Sequence, residues 1–197
     1  AFQRVFSEFV DEAAKRDVKI AIENCPMMSH RHLCSENIAF SPEIWRRMFS
    51  LIPAENLGIE LDPAHMVWQR IDYIKAIKEF GHKIFHIHAK DMEIRYDILA
   101  ETGIYGTQFG DILGLGHGWW RARTPGFGEV NWRALITALI EVGYKGNVDI
   151  EHEDDVLAAA ARLGAVKEES DIVNGYCTEP NGLILGYNTL SPIMPKD

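Results

Sequence analysis

Apolar residues recur along the chain in two alternating rhythms. Phe2, Val5, Phe6, Phe9, Val10, Ala13 and Ala14 follow the i, i+3, i+4, i+7 stripe of an amphipathic helix. Asp17 breaks that stripe, and Val18-Lys19-Ile20-Ala21-Ile22 then predicts a strand over 18–24. Residues 25–40 read as a polar loop. Ser41-Pro42-Glu43 is an N-cap followed by a helix-start proline. Ile44, Trp45, Met48, Phe49 and Ile52 form the buried stripe of the second helix, which Pro53 ends. Strands are predicted at 57–62, 84–89 and 147–152. A helix over roughly 69–80 turns Ile71, Ile74, Ile77 and Phe80 inward, with Gly81 as C-cap. Another, over 132–142 and capped by Asn131, turns Leu135, Ile136, Leu139 and Ile140 inward. A helical stretch at 154–163, an irregular polar segment at 164–181 and a last helix from about 182 to 190 complete the chain.

Strand, loop and helix in repetition imply right-handed crossovers and a parallel sheet. The 197 residues suffice for one domain with a real core, so 1–197 is expected to be a single domain. The segment 92–130 breaks the repeat. It is far longer than a usual strand-to-helix loop and holds eight of the 16 glycines. In a barrel of parallel strands such a loop lies on the catalytic face, so it reads as a lid rather than a surface insertion.

Composition narrows the picture slightly. The formal charge of −9 argues against a nucleic-acid backbone or an anionic membrane as partner. Cys25, Cys34 and Cys177 lack metal-type spacing and read as reduced thiols of a cytoplasmic protein. No apolar run approaches the ~18 residues needed to span a membrane. The chain opens on Ala1 within a helix of mid-domain character, so it is expected to begin inside a larger fold.

Candidate chemistry sits at the strand ends. Glu23, Asp62, His88 and Glu151 each close, or nearly close, a short apolar run. Three carboxylates and an imidazole converging on the rim of such a barrel would hold one divalent metal. In Asp62-Pro63-Ala64-His65 the acid and the imidazole can face one cavity, where His65 would ligate or bond a substrate hydroxyl. Alternatively, Asp62 is only a helix N-cap. His86 shares a strand face with His88 but lies further from the rim, so it is expected to support the site or fill core. Lys90 either pairs with Asp91 or steadies an oxyanion. Glu153, Asp154 and Asp155 read as the solvated start of a helix. Arg121 and Arg123 are candidates for substrate oxygens, unless they are simply solvated. In Pro125-Gly126-Phe127-Gly128 the glycines let the backbone pass close to something, and Trp132 is expected to pack the mouth of the site. Gly114-Leu115-Gly116-His117-Gly118 neither follows a strand nor opens a helix, so no nucleotide cofactor is expected.

Taken in order, Ile-Glu-Asn-Cys-Pro at 22–26, Asp-Pro-Ala-His at 62–65, His-Ile-His-Ala-Lys-Asp at 86–91, Pro-Gly-Phe-Gly-Glu-Val-Asn-Trp at 125–132 and Ile-Glu-His-Glu-Asp at 150–154 resemble the sugar phosphate isomerase/epimerase family of xylose-isomerase-like barrels. The resemblance implies an α/β fold of the (β/α)8 type, of which this chain would be the C-terminal half, strands 5–8. It implies Glu23, Asp62, His88 and Glu151 as ligands of one divalent ion, manganese foremost, with magnesium, cobalt or zinc as alternatives. It further implies a sugar or sugar phosphate substrate. Either the chain is a fragment that lacks its N-terminal half, or a partner such as a second copy closes the sheet. Endonuclease IV is less similar, because Arg121-Ala122-Arg123 stands where its additional zinc ligands would be.

The expected mechanism is proton abstraction next to a carbonyl through an enediolate, with Glu23 and Glu151 as opposed proton carriers and His65 and Lys90 at the developing oxyanion. A lyase or dehydratase acting on an oxidised sugar or inosose would use the same residues. A non-catalytic half-barrel serving as a binding or assembly module is the reading from another class.

Overall fold

The computed structural model describes residues 1–26, 37–105, 118–154, 156–157, 172–173, 176–177 and 180–195. From the N-terminus the elements are α1 (Phe2–Ala14), β1 (Ile20–Glu23), α2 (Pro42–Leu51), β2 (Leu57–Leu61), α3 (Pro63–Trp68) and α4 (Tyr73–Phe80). Then come β3 (Ile84–Ala89), β4 (Asp91–Ile94), α5 (Tyr96–Thr102), β5 (Trp120–Arg123), α6 (Trp132–Glu141) and β6 (Val148–Ile150). Two strands of two residues, β7 (Ile172–Val173) and β8 (Tyr176–Cys177), precede α7 (Pro180–Leu190).

The fold is α/β, and its main sheet is parallel, in the order β1-β2-β3-β6. Each strand neighbours the next one predicted from the apolar runs, with helices in the crossovers. Strand alternation sorts the two faces. Ile59, Leu61, Ile87 and Ala89 are fully buried and join the core with Trp45 and Met48 of α2, Ile77 and Phe80 of α4, and Leu135 and Leu139 of α6. Burying each such leucine or isoleucine contributes about 1.5–3 kcal/mol. The opposite face carries Glu60, His86, His88 and Asp149, which contact one another. Gly58 stands where β2 passes the Phe85 ring: a Cβ there would lie 2.5 Å from Phe85 Cε2.

Several boundaries differ from expectation. The helix expected over 69–80 is α4, which starts later, at Tyr73, where Asp72 caps it, and a separate short helix that was not expected, α3, precedes it at Pro63–Trp68, capped by Asp62. The stripe of α1 buries only Val10, leaving Val5 and Phe9 exposed, because α1 packs at the sheet edge beside β1. Ile140, expected inward, is exposed on α6. Part of the irregular segment at 164–181 pairs as the antiparallel β7–β8 hairpin. The long loop begins and ends as an antiparallel ribbon of β4 and β5, with α5 between them. Its tip at 106–117, including most of the Gly114–Gly118 motif, lies outside the described residues, as do Cys34, Asp155 and most of the helix expected at 154–163. Among the described residues no helix is long and apolar enough to cross a membrane.

Candidate metal centre

Four of the predicted residues come together. Glu23, at the end of β1, Asp62, just past β2, His88, one residue before the end of β3, and Glu151, just past β6, each offer a ligand atom, and these atoms lie within 4.8 Å of one another. The parallel register explains the convergence. Consecutive strands run the same way, so their C-terminal ends form one rim.

Asp62 is doubly employed. Its Oδ1 accepts from Ala64 N at 2.8 Å and caps α3, as the helix-cap reading expects, while the same side chain stands among the four clustered ligand atoms. Its Oδ2 is buried and has no hydrogen-bond partner, although Lys90 Nζ lies 3.1 Å away and His65 Nε2 3.2 Å away. Burial pushes the Asp62 carboxyl up, and the charges of His65 and Lys90 offset this only in part. Asn24 fastens the rim on both sides: its Nδ2 donates to Asp62 O at 3.0 Å, and Asp62 N donates to Asn24 Oδ1 at 2.6 Å.

His88 is held between carboxylates. Its Nδ1 lies 3.2 Å from Glu23 Oε1 and 3.0 Å from Glu151 Oε2, and its Nε2 lies 2.9 Å from Glu60 Oε1. Glu151 and Glu23 raise its pKa to about 10. Burial disfavours charge on Glu151, but His88 and Lys90 outweigh it and bring the carboxyl down to about 2. The same contest, with His88, His65 and Lys90 prevailing over burial, lowers Glu23. His65 is buried, lies 3.9 Å from Glu23 Oε1, and is kept neutral-leaning by desolvation.

Lys90 turns away from Asp91. It pairs with Asp62, Glu151 and Glu153 at 3.1, 2.9 and 3.3 Å. Burial disfavours its charge, yet these three carboxylates raise its pKa. Asp91 serves the loop instead. Its two oxygens accept from Met92 N, Val130 N, Gly126 N and Trp132 Nε1 at 2.8–2.9 Å. Gly126 has φ +94°, and a side chain at Gly128 would meet the Asp91 carboxylate and the Met92 backbone, so this is the close approach the glycines permit. Trp132 is buried by that contact.

Arg121 and Arg123, candidates for substrate oxygens, are committed within the protein. Arg121 forks onto Glu93 at 2.8 and 2.9 Å, and Arg123 binds Glu93 and, at 3.0 Å, Asp154. Asp154 is not solvated: it is buried, accepts from Thr124 N at 2.9 Å, and caps the turn at Val156 and Leu157. His86 pairs with Asp149 at 3.0 Å, beneath the rim. Sequence reasoning missed Asn24, Glu60 and Glu153. Glu60 carried a usable signal, since it lies two positions before Asp62 and shares its face.

Comparison with known proteins adds the family. The model of the xylose isomerase-like TIM barrel matches residues 1–174. The uncharacterized protein YfiH of Bacillus subtilis (strain 168) is 28% identical over 147 residues, covering 74% of this chain and 43% of that protein. Inosose dehydratase of Clostridium botulinum (strain Alaska E43 / Type E3) is 26% identical over 150 residues, covering 76% of this chain and 48% of the relative. The crystal structure of a D-tagatose 3-epimerase-like protein superposes with a TM-score of 0.52 at 23% identity, over 83% of this chain and 52% of that one. This chain thus spans about half the length of the curated relatives it matches.

Proposed function

The chain belongs to the xylose isomerase-like TIM barrel family, and from that premise we propose that it carries the ion-binding rim of a sugar, or sugar phosphate, isomerase/epimerase. The observation that supports this most is the approach of Glu23, Asp62, His88 and Glu151 to within 4.8 Å. Three carboxylates so close repel one another unless positive charge offsets them; Lys90 and His88 supply part of it here, and a divalent ion among the four ligand atoms would supply more. The donors fit a divalent ion: the oxygens and the imidazole nitrogen suit manganese, magnesium, cobalt or zinc, and Asp62 Oδ2 is buried and faces Lys90 and His65 without a well-formed hydrogen bond to either. When bound, the ion would polarise a sugar carbonyl and acidify the neighbouring C–H.

The side chains do the rest. Glu23 and Glu151 come from the two outer strands of the sheet and flank His88. One takes the proton from carbon; the other returns a proton to the opposite face or to the next carbon. Lys90, with its charge stabilised, and His65, with both ring nitrogens free of hydrogen bonds, stand beside Asp62 as donors to the developing oxyanion. We read the parallel sheet β1-β2-β3-β6 as the C-terminal half of a (β/α)8 barrel, consistent with a match that spans about half the length of its relatives.

The test is proton exchange. With manganese and a panel of ketoses in D2O, the expected outcome is deuterium uptake next to the carbonyl. Glu151→Gln should abolish uptake while leaving sugar binding measurable by calorimetry; undiminished exchange in that variant would remove Glu151 from its role. A second reading is a dehydratase, favoured by the similarity to inosose dehydratase. Loss of water, seen as a new enol or ketone product, selects it over the epimerase.

A further inference from the structure

On the inner face of the sheet, below the rim, Glu60 of β2 lies with its Oε1 2.9 Å from His88 Nε2. No ion-site role attaches to it from the strand-end pattern, since it lies inside the run Leu57–Leu61. Its other imidazole neighbour, His86, is further away at 3.8 Å and has its own partner in Asp149 at 3.0 Å. Glu60 therefore faces His88 as its near partner. The two ring nitrogens of His88 point to different places: Nδ1 to Glu23 and Glu151, Nε2 to Glu60.

An imidazole can offer a lone pair to a cation on one nitrogen only if its remaining proton sits on the other. A carboxylate beside that second nitrogen fixes the tautomer, orients the ring and makes it a stronger donor. We propose that Glu60 is a positioning residue for the ion site: it holds the His88 proton on Nε2 and keeps Nδ1 open toward the space shared with Glu23, Asp62 and Glu151. This rests on the rim being an ion site, and it assigns the residue that aims its one nitrogen ligand.

The experiment compares the full chain with E60Q and E60A. Each is titrated with Mn2+ by calorimetry, after circular dichroism verifies folding. The proposal expects one ion per chain, with affinity reduced roughly 10–100-fold in E60A and roughly threefold or more in E60Q, whose amide oxygen still accepts. In the Co2+-loaded protein the Nε2 proton of His88 gives a hyperfine-shifted resonance that disappears in D2O. It should persist in water for the unaltered chain and be lost to fast exchange in E60A. Unchanged affinity in a folded E60A or E60Q overturns the positioning role while sparing the ion site. Two ions per chain, the second among Glu60, His86 and His88, also overturn it. No binding by the unaltered chain overturns both the role and the site it serves.

Discussion

At the scale of single residues, Asp62 and Asn24 carry opposite burdens. Asp62→Asn keeps an oxygen for the α3 cap and removes the charge, whereas Asp62→Ala removes both. Both substitutions should eliminate ion binding in calorimetry. The alanine variant should be about 1 kcal/mol less stable than the asparagine one in urea denaturation, because only alanine loses the cap. Asn24→Ala deletes two buried hydrogen bonds and strands the Asp62 backbone, which should cost roughly 2–4 kcal/mol by the same measurement. The convergence of Glu23, Asp62, His88 and Glu151 was legible because each stands at or near the C-terminal end of a strand-like run, and parallel strands bring such ends to one rim. Asn24 and Glu153 were not, since their roles depend on a partner 38 residues away for Asn24 and on a buried lysine for Glu153.

At the scale of elements, the β4–β5 ribbon and the turn after it depend on Asp91 and Glu93. Asp91→Asn would point an amide N–H2 at backbone or indole donors now bound by a carboxylate. A loss of roughly 2–4 kcal/mol in denaturant-measured stability is expected. Glu93, hydrogen-bonded by Arg121 and Arg123 against a smaller burial penalty, has a pKa below its ordinary 4.5. A lowered carboxylate stabilises the fold above its unfolded pKa, and that contribution is lost as pH falls through the folded value. The gap in melting temperature between the unaltered chain and Glu93→Gln should hold near neutrality and close as pH drops below 4.5. The four strands and their parallel pairing were readable from the apolar runs and the helices between them. The ribbon was not, because Trp120-Arg121-Ala122-Arg123 pairs with Asp91–Ile94 across a long glycine-rich interval that has no hydrophobic rhythm. The short helix α3 was also hidden, since Asp-Pro signals a turn and a helix start equally well.

At the scale of the whole molecule, β1 and β6 are, among the described residues, the outer strands of the parallel sheet, and α1 and α7 expose Phe9, Ile184 and Tyr187. Open edges and apolar surface favour association. If the half-barrel reading holds, sedimentation velocity at rising concentration should register self-association; a strict monomer with one cooperative melt would count against it. One last consequence follows from the mutual grip of Asn24 and Asp62. Backbone and side chain brace each other there, so the rim is a jig cut before anything is clamped in it. The ranking of divalent cations should then follow ionic radius and the ease of shedding hydration water, rather than how far the polypeptide must bend to reach them.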